Sequence, residues 1–149
     1  MCIRDSDAFD RITYLATRVL NVPVAFVSII DGDREWFKSR VGFDIPEIAR
    51  DVALCAVVVT SGDPRTIEDV QAEPDYATNP ILRADPDLHA FAAVPLRTQD
   101  GHVIGTLCVF DRKPRTFTAQ ELGDLDQLAA IAMRELDLRL ASRRALFTT

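Results

Sequence analysis

The chain has 149 residues, 48% of them hydrophobic and 27% charged, with a formal net charge of −6. This is the balance of one globular domain that buries about 70% of its extended-chain surface, and it excludes a disordered chain. The acidic balance also argues against a nucleic-acid surface, which needs clustered Lys and Arg.

Met1-Cys2-Ile3-Arg4-Asp5-Ser6 matches nothing that follows it. It is read as a non-native leader, a translated sequencing adapter fused to a truncated reading frame, so the expected domain occupies residues 7–141 with a tail at 142–149. Phe9, Ile12, Leu15, Ala16, Val19 and Leu20 recur at three- and four-residue spacing. That predicts an amphipathic helix over residues 7–20, capped by Ser6 or Asp7 and ended by Asn21 and Pro23. Residues 24–30 are β-branched and nearly all apolar, as in a central strand buried on both faces. Asp31-Gly32-Asp33 turns the chain into a second strand, about residues 35–41. Residues 42–87 hold five of the eight prolines, which predicts loops, short helices and one or two strands.

Two apolar runs then flank Asp100-Gly101, a hairpin signal because glycine takes the positive φ of a tight turn. Pro95 demotes the first run to a strand end or an edge, since it cannot donate to a ladder. Thr118 and Glu121 have the spacing of a capping box. The helix they open is expected to run through Leu122, Leu125, Leu128, Ala129, Ala132, Leu136 and Leu140 to about Arg144.

These segments, in this order, resemble a GAF domain, the small-molecule sensory module of signalling proteins. The likeness is carried by F-D-R-I-T-Y-L-A-T-R-V-L-N-V-P-V-A-F-V-S-I-I-D from Phe9 and D-R-E-W-F-K-S-R-V-G from Asp33. It continues with A-L-C-A from Ala53, E-P-D-Y-A-T-N-P from Glu73 and the hairpin-into-helix cassette from Phe91, covering residues 7–140. The resemblance implies an α+β domain of three layers, α/β/α, around an antiparallel sheet of five or six strands in the order 2-1-5-4-3. The terminal helices would cover one face and the variable middle segment the other, with a ligand pocket under that segment. Val57-Val58-Val59 alone favours a strand, but the resemblance places a helix near Cys55, and the helix is adopted.

Catalytic chemistry is not expected. With Cys2 set aside, Cys55 and Cys108 form no C-x-x-C pair, and with His89 and His102 they give no zinc spacing, so no metal site is expected. Both thiols are read as buried and inert. GAF-fold methionine sulfoxide reductases place thiols beside an S-E-I-type strand, where this chain has Phe91-Ala92-Ala93-Val94-Pro95. A bilin site would show Cys followed by His, but Cys55 is followed by Ala56 and Val57; neither bilin nor haem is supported, and no cofactor is expected. The Asn-Lys motif of cyclic-nucleotide-binding GAF domains is missing, and the pairs Asp31/Asp33 and Asp85/Asp87 read as turn caps.

What remains is a binding or relay module. The pocket candidates are Ser28, Trp36, Cys55, Tyr76, His89, Phe91 and Thr106. Ser28 shares a strand face with Phe26 and Ile30, and Thr106 shares one with Cys108 and Phe110. In the last helix, positions 122, 125, 129, 132 and 136 approximate a heptad seam. The stripe is expected to pack on the sheet over residues 122–132. Beyond Leu136, Leu138, Leu140 and Leu146 need another partner, and a homodimer through the first and last helices is expected. The basic clusters at 112–115 and 139–144 read as solvated. The longest apolar run, residues 52–59, has eight residues against the ~20 of a membrane helix, and no secretory signal is visible. No membrane or nucleic-acid partner and a cytoplasmic location are therefore expected. The leading reading is a non-enzymatic bacterial sensory domain that binds an unknown small ligand or relays a signal through a helical dimer. The alternatives are a structural dimerisation module and a thiol-dependent methionine sulfoxide reductase.

Overall fold

The computed structural model describes residues 5–31, 33–45, 47–49, 54–73 and 79–148. In chain order these form α1 (Asp5–Leu20), β1 (Val24–Asp31), β2 (Arg34–Val41) and β3 (Glu47–Ala49). Then come α2 (Ala56–Ser61), β4 (Arg65–Ile67), a 3-10 turn (Val70–Ala72), α3 (Pro80–Ala84), β5 (Ala90–Arg97), β6 (Val103–Asp111) and α4 (Ala119–Thr148). Of the expected leader at residues 1–6, residues 1–4 lie outside the described residues, while Asp5 and Ser6 stand in the first turn of α1.

All neighbouring strands are antiparallel, in the order β3-β2-β1-β6-β5-β4. With the strands after β2 renumbered, this is the expected 2-1-5-4-3 with one short edge strand, β3, added outside β2. β1 and β6 occupy the centre, and β6 approaches β1 closely because Gly105 carries no side chain. A Cβ there would stand 1.9 Å from the Ser28 carbonyl oxygen.

Two apolar layers flank the sheet. On one side, Phe9, Ile12, Ala16 and Leu20 of α1 and Leu125, Leu128, Ala129, Ala132 and Met133 of α4 pack against Ala25, Val27, Ala92, Val94, Leu107 and Val109. On the other, Phe26, Phe37, Phe91, Cys108 and Phe110 meet Leu54, Cys55, Val58, Val70, Ile81 and Leu82 of the variable segment. Its aromatic rings meet edge to face, Phe26 with Phe37 at 5.0 Å and with Phe43 at 5.4 Å between centroids.

Local chemistry sets the ends of the elements. Asn21 takes φ 55 just past α1, and the Val22 N–H donates to the Thr17 carbonyl at 3.0 Å, a Schellman closure. Gly101 takes φ 86 in the β5–β6 turn. At α4 the predicted capping box is present: the Thr118 N–H donates to Glu121 Oε1 at 2.9 Å and the Glu121 N–H to Thr118 Oγ1 at 3.1 Å. Residues 56–61 are helical despite their β-branched run, and Gly62 closes α2 in the left-handed region at φ 75.

Two expectations need correction. Leu15 and Val19 do not join the sheet-facing stripe of α1; they are 43% and 52% exposed on its outer side, with Tyr14 beside them. Arg115 is not a solvated loop residue. Its guanidinium donates to Asp111 Oδ2 at 2.8 Å and to the Leu20 carbonyl at 3.3 Å, and pairs with Glu121, tying the ends of β6 and α1 to the start of α4. α4 itself runs on through residues 142–148, the segment expected as a tail. Side chains from Leu136 onward, including Leu138, Leu140 and Leu146, lie outside the described residues.

Gly105→Ala should cost about 3 kcal/mol or more, because its Cβ meets backbone that cannot move aside. Gly123→Ala, in α4 with open space around it, should instead stabilise by about 0.5–1 kcal/mol. Urea unfolding of the two variants checks both signs.

Candidate functional site

Strand alternation and register bring a polar group together under the variable segment. On the same sheet face, β1 contributes Ser28, β6 contributes Thr106 and Cys108, and β2 contributes Glu35. Ser28 stands directly opposite Thr106, while Glu35 pairs with Ile30, next but one to Ser28. Cys55 enters from above, in the turn that opens α2. All five residues are at most 1% exposed. Ser28 Oγ and Thr106 Oγ1 are hydrogen-bonded at 2.7 Å, Thr106 Oγ1 lies 2.9 Å from Cys108 Sγ, and the Cys55 and Cys108 sulfurs are 2.7 Å apart.

Glu35 gives the cluster its charge. Burial pushes its carboxyl up to about 6, against the pull of hydrogen bonds from Ser28 and Cys55. Its Oε1 has no hydrogen-bond partner among the described residues. Burial likewise drives the Cys55 thiol well above the ordinary thiol range, with Cys108 and the Glu35 charge adding to the rise. The Cys108 thiol is also raised by burial, partly offset by its hydrogen bonds with Cys55 and Thr106. Both thiols are therefore protonated at neutral pH.

Of the candidates named from sequence, Ser28, Cys55 and Thr106 meet here. Phe91 is fully buried in the adjoining aromatic layer, 5.1 Å from the Phe110 ring. Trp36 does not join them. It alternates with Glu35 and so projects on the opposite face, 39% exposed, with the Arg34 guanidinium 4.4 Å over its ring. There it borders a shallow cavity of about 660 Å³ with Ile29, Lys38, Val103 and Ile104. His89 lies beyond the end of β5, where Nδ1 meets Asp69 Oδ1 at 2.9 Å; that bond holds the Asp69 carboxyl below its usual range. Its carbonyl accepts from Val70 N–H at 2.6 Å, so it stitches the 3-10 turn to the sheet. Tyr76 lies outside the described residues.

Glu35 was missed among the charges of its strand. Its period-two phase with Phe37 was the available signal, because it places the carboxylate on the apolar side. Among the described residues, no group of three or more His, Cys, Asp or Glu is placed to hold a metal ion, and no helix is long and apolar enough to cross a membrane.

Because the folded-state pKa of Glu35 lies above the ordinary carboxyl value of 4.5, the carboxyl favours the folded chain only while protonated. That contribution is complete below about pH 4.5 and is lost as pH rises through about 6. Glu35→Gln removes the titration. The stability of the variant relative to wild type should therefore grow by about 2 kcal/mol from about pH 4 to about pH 7.5, read by urea unfolding at both values.

Comparison with known proteins places this geometry. The family model described as the GAF domain matches residues 6–136. A cyclic di-GMP phosphodiesterase of Pseudomonas aeruginosa is 30% identical over 131 residues, which make up 87% of this chain and 22% of the relative. The chain thus spans about a fifth of that protein. Among solved structures, free methionine-R-sulfoxide reductase from Neisseria meningitidis superposes with a TM-score of 0.77 at 19% identity, covering 95% of this chain and 81% of that one. The GAF domain of a phosphoenolpyruvate-protein phosphotransferase from Coxiella burnetii superposes with a TM-score of 0.76 at 17% identity, covering 99% and 89%. At such identities the superpositions establish the fold alone. From the sheet order, the two flanking layers and the matched residues, the chain belongs to the GAF domain family.

Proposed function

We propose that this GAF domain is a non-enzymatic, cytoplasmic sensory module of a bacterial signalling protein, which takes a small ligand over the Glu35 cluster and relays its state through paired α1 and α4 helices. The observation that carries the reading is the unpartnered Glu35 oxygen, buried beside Ser28 and Thr106 on the face that the variable segment covers. A buried carboxyl with one oxygen left unpaired costs stability, and perturbed groups of this kind concentrate at functional sites. A ligand donor group, ammonium or amide, would satisfy it once α2 moves aside. The Pseudomonas relative supports a signalling context in which the chain is one part of a longer protein.

The relay half of the reading rests on the outer helical surface. Tyr14, Leu15 and Val19 of α1 and Ile131 of α4 are between 43% and 57% exposed, an apolar patch on the two helices expected to pair. Two leucines or valines moved from water into a contact gain ~1.5–3 kcal/mol each.

Mass spectrometry of small molecules released from the purified wild-type domain should find one ligand, absent from Glu35→Gln. A wild-type protein that releases none would remove the ligand role. In sedimentation, Leu15→Glu with Val19→Glu should convert a dimer into a folded monomer, whereas Leu125→Glu with Leu128→Glu should unfold the domain, since those two positions are buried against the sheet. A wild-type chain that stays monomeric at high micromolar concentration would leave only the ligand-binding role. The purified protein should not reduce free methionine sulfoxide.

A further inference from the structure

Cys55 and Cys108 come from different layers. Cys55 leads into α2 of the variable segment and Cys108 stands in the middle of β6. They are 53 residues apart in sequence, yet their sulfurs lie 2.7 Å apart, both as free thiols. A disulfide bond is about 2.05 Å long, so closing the pair requires a shift of well under ~1 Å. Two further groups adjoin the pair: Thr106 Oγ1 lies 2.9 Å from Cys108 Sγ, and the Glu35 carboxyl is buried in the same cluster, where its charge raises the Cys55 thiol. Inert core cysteines need only apolar neighbours, whereas here a carboxyl able to accept a proton adjoins one thiol and the second thiol adjoins the first.

We propose that Cys55 and Cys108 are a redox pair, closed to an intramolecular disulfide by hydrogen peroxide or another small hydroperoxide and reopened by a dithiol reductant. In the first step the Cys55 thiol passes its proton to the Glu35 carboxylate. Its sulfur then attacks one peroxide oxygen, the O–O bond breaks, and the leaving hydroxide takes the proton from Glu35 to depart as water. Cys55 is left as a sulfenic acid. In the second step Cys108 sulfur attacks the Cys55 sulfur, the S–O bond breaks, and the departing hydroxide takes the Cys108 proton as a second water. Two thiols lose two electrons and one peroxide gains them. Burial of both sulfurs restricts the oxidant to a small, uncharged molecule and excludes glutathione disulfide. Once formed, the bond ties α2 to β6 and locks α2 in place over the Glu35 cluster.

The test uses the full chain with Cys2→Ser, which leaves two thiols. After treatment with hydrogen peroxide, intact mass should fall by about 2 Da per chain, and tryptic peptides 51–65 and 98–112 should be found joined. A dithiol reductant should restore the mass. The melting temperature of the oxidised chain should rise by roughly 5–10 °C, because the bond closes a long loop. Cys108→Ser should instead accumulate a Cys55 sulfenic acid, trapped by dimedone. Added oxygen without mass loss in the Cys2→Ser protein, joining between chains only, or closure by glutathione disulfide as fast as by peroxide would each overturn the proposal. The mass and peptide measurements decide it even where the single-cysteine variant fails to fold.

Discussion

The close pairing of β1 with β6 is the constraint on which the rest of the domain depends. Both strands are central and covered on both faces, so their register decides which side chains reach which layer. Gly105 permits the approach, since any Cβ there would enter the Ser28 backbone. The Ser28–Thr106 hydrogen bond of 2.7 Å then marks the matched positions. A slip of one residue would send Leu107 and Val109 into the variable layer and the polar residues under the helices, which makes the register costly to change. The two helices, the edge strands and the short elements of the middle segment all attach to this pair.

A polar group in an apolar layer is expensive, and the cluster around Glu35 is in part compensated. Ser28, Thr106 and the two cysteines satisfy one another, while one Glu35 oxygen has no partner among the described residues. The residual cost appears as the raised carboxyl pKa. A core selected for stability alone would hold apolar side chains at these positions. The same feature explains why ligand binding and thiol oxidation are proposed at one place: each would act on α2, the element whose N-terminal turn supplies Cys55.

The strand that presents Thr106 and Cys108 to the cluster presents Leu107 and Val109 to the helices, so one element touches both layers. Arg115 adds a second connection, joining the end of β6 to the end of α1 and the start of α4. A change in the packing of β6 therefore has a contiguous physical path to α1 and α4, through packed side chains and a charged clasp. The outward Leu15 and Val19 place the proposed dimer contact on the far side of that path.

Local chemistry in the sequence determined the elements. The capping box at Thr118, the stop at Asn21, the Asp100-Gly101 turn and the apolar periods of β1, β5 and α4 rely on contacts within a few residues, so they can be read without a fold. Strand faces were legible for the same reason, and they grouped Ser28 with Phe26 and Thr106 with Cys108; the register that sets Ser28 opposite Thr106 was not. Tertiary structure alone decided what depends on distant partners. Val57-Val58-Val59 became helix because packing of Val58 under the sheet overrides β propensity. The phase of β2 against the variable segment buried Glu35 and left Trp36 half-exposed on the other face, and Arg115 became a clasp when three element ends met. The contact of Cys55 with Cys108 was invisible in sequence, since 53 residues separate two thiols that only the docking of α2 on β6 brings together.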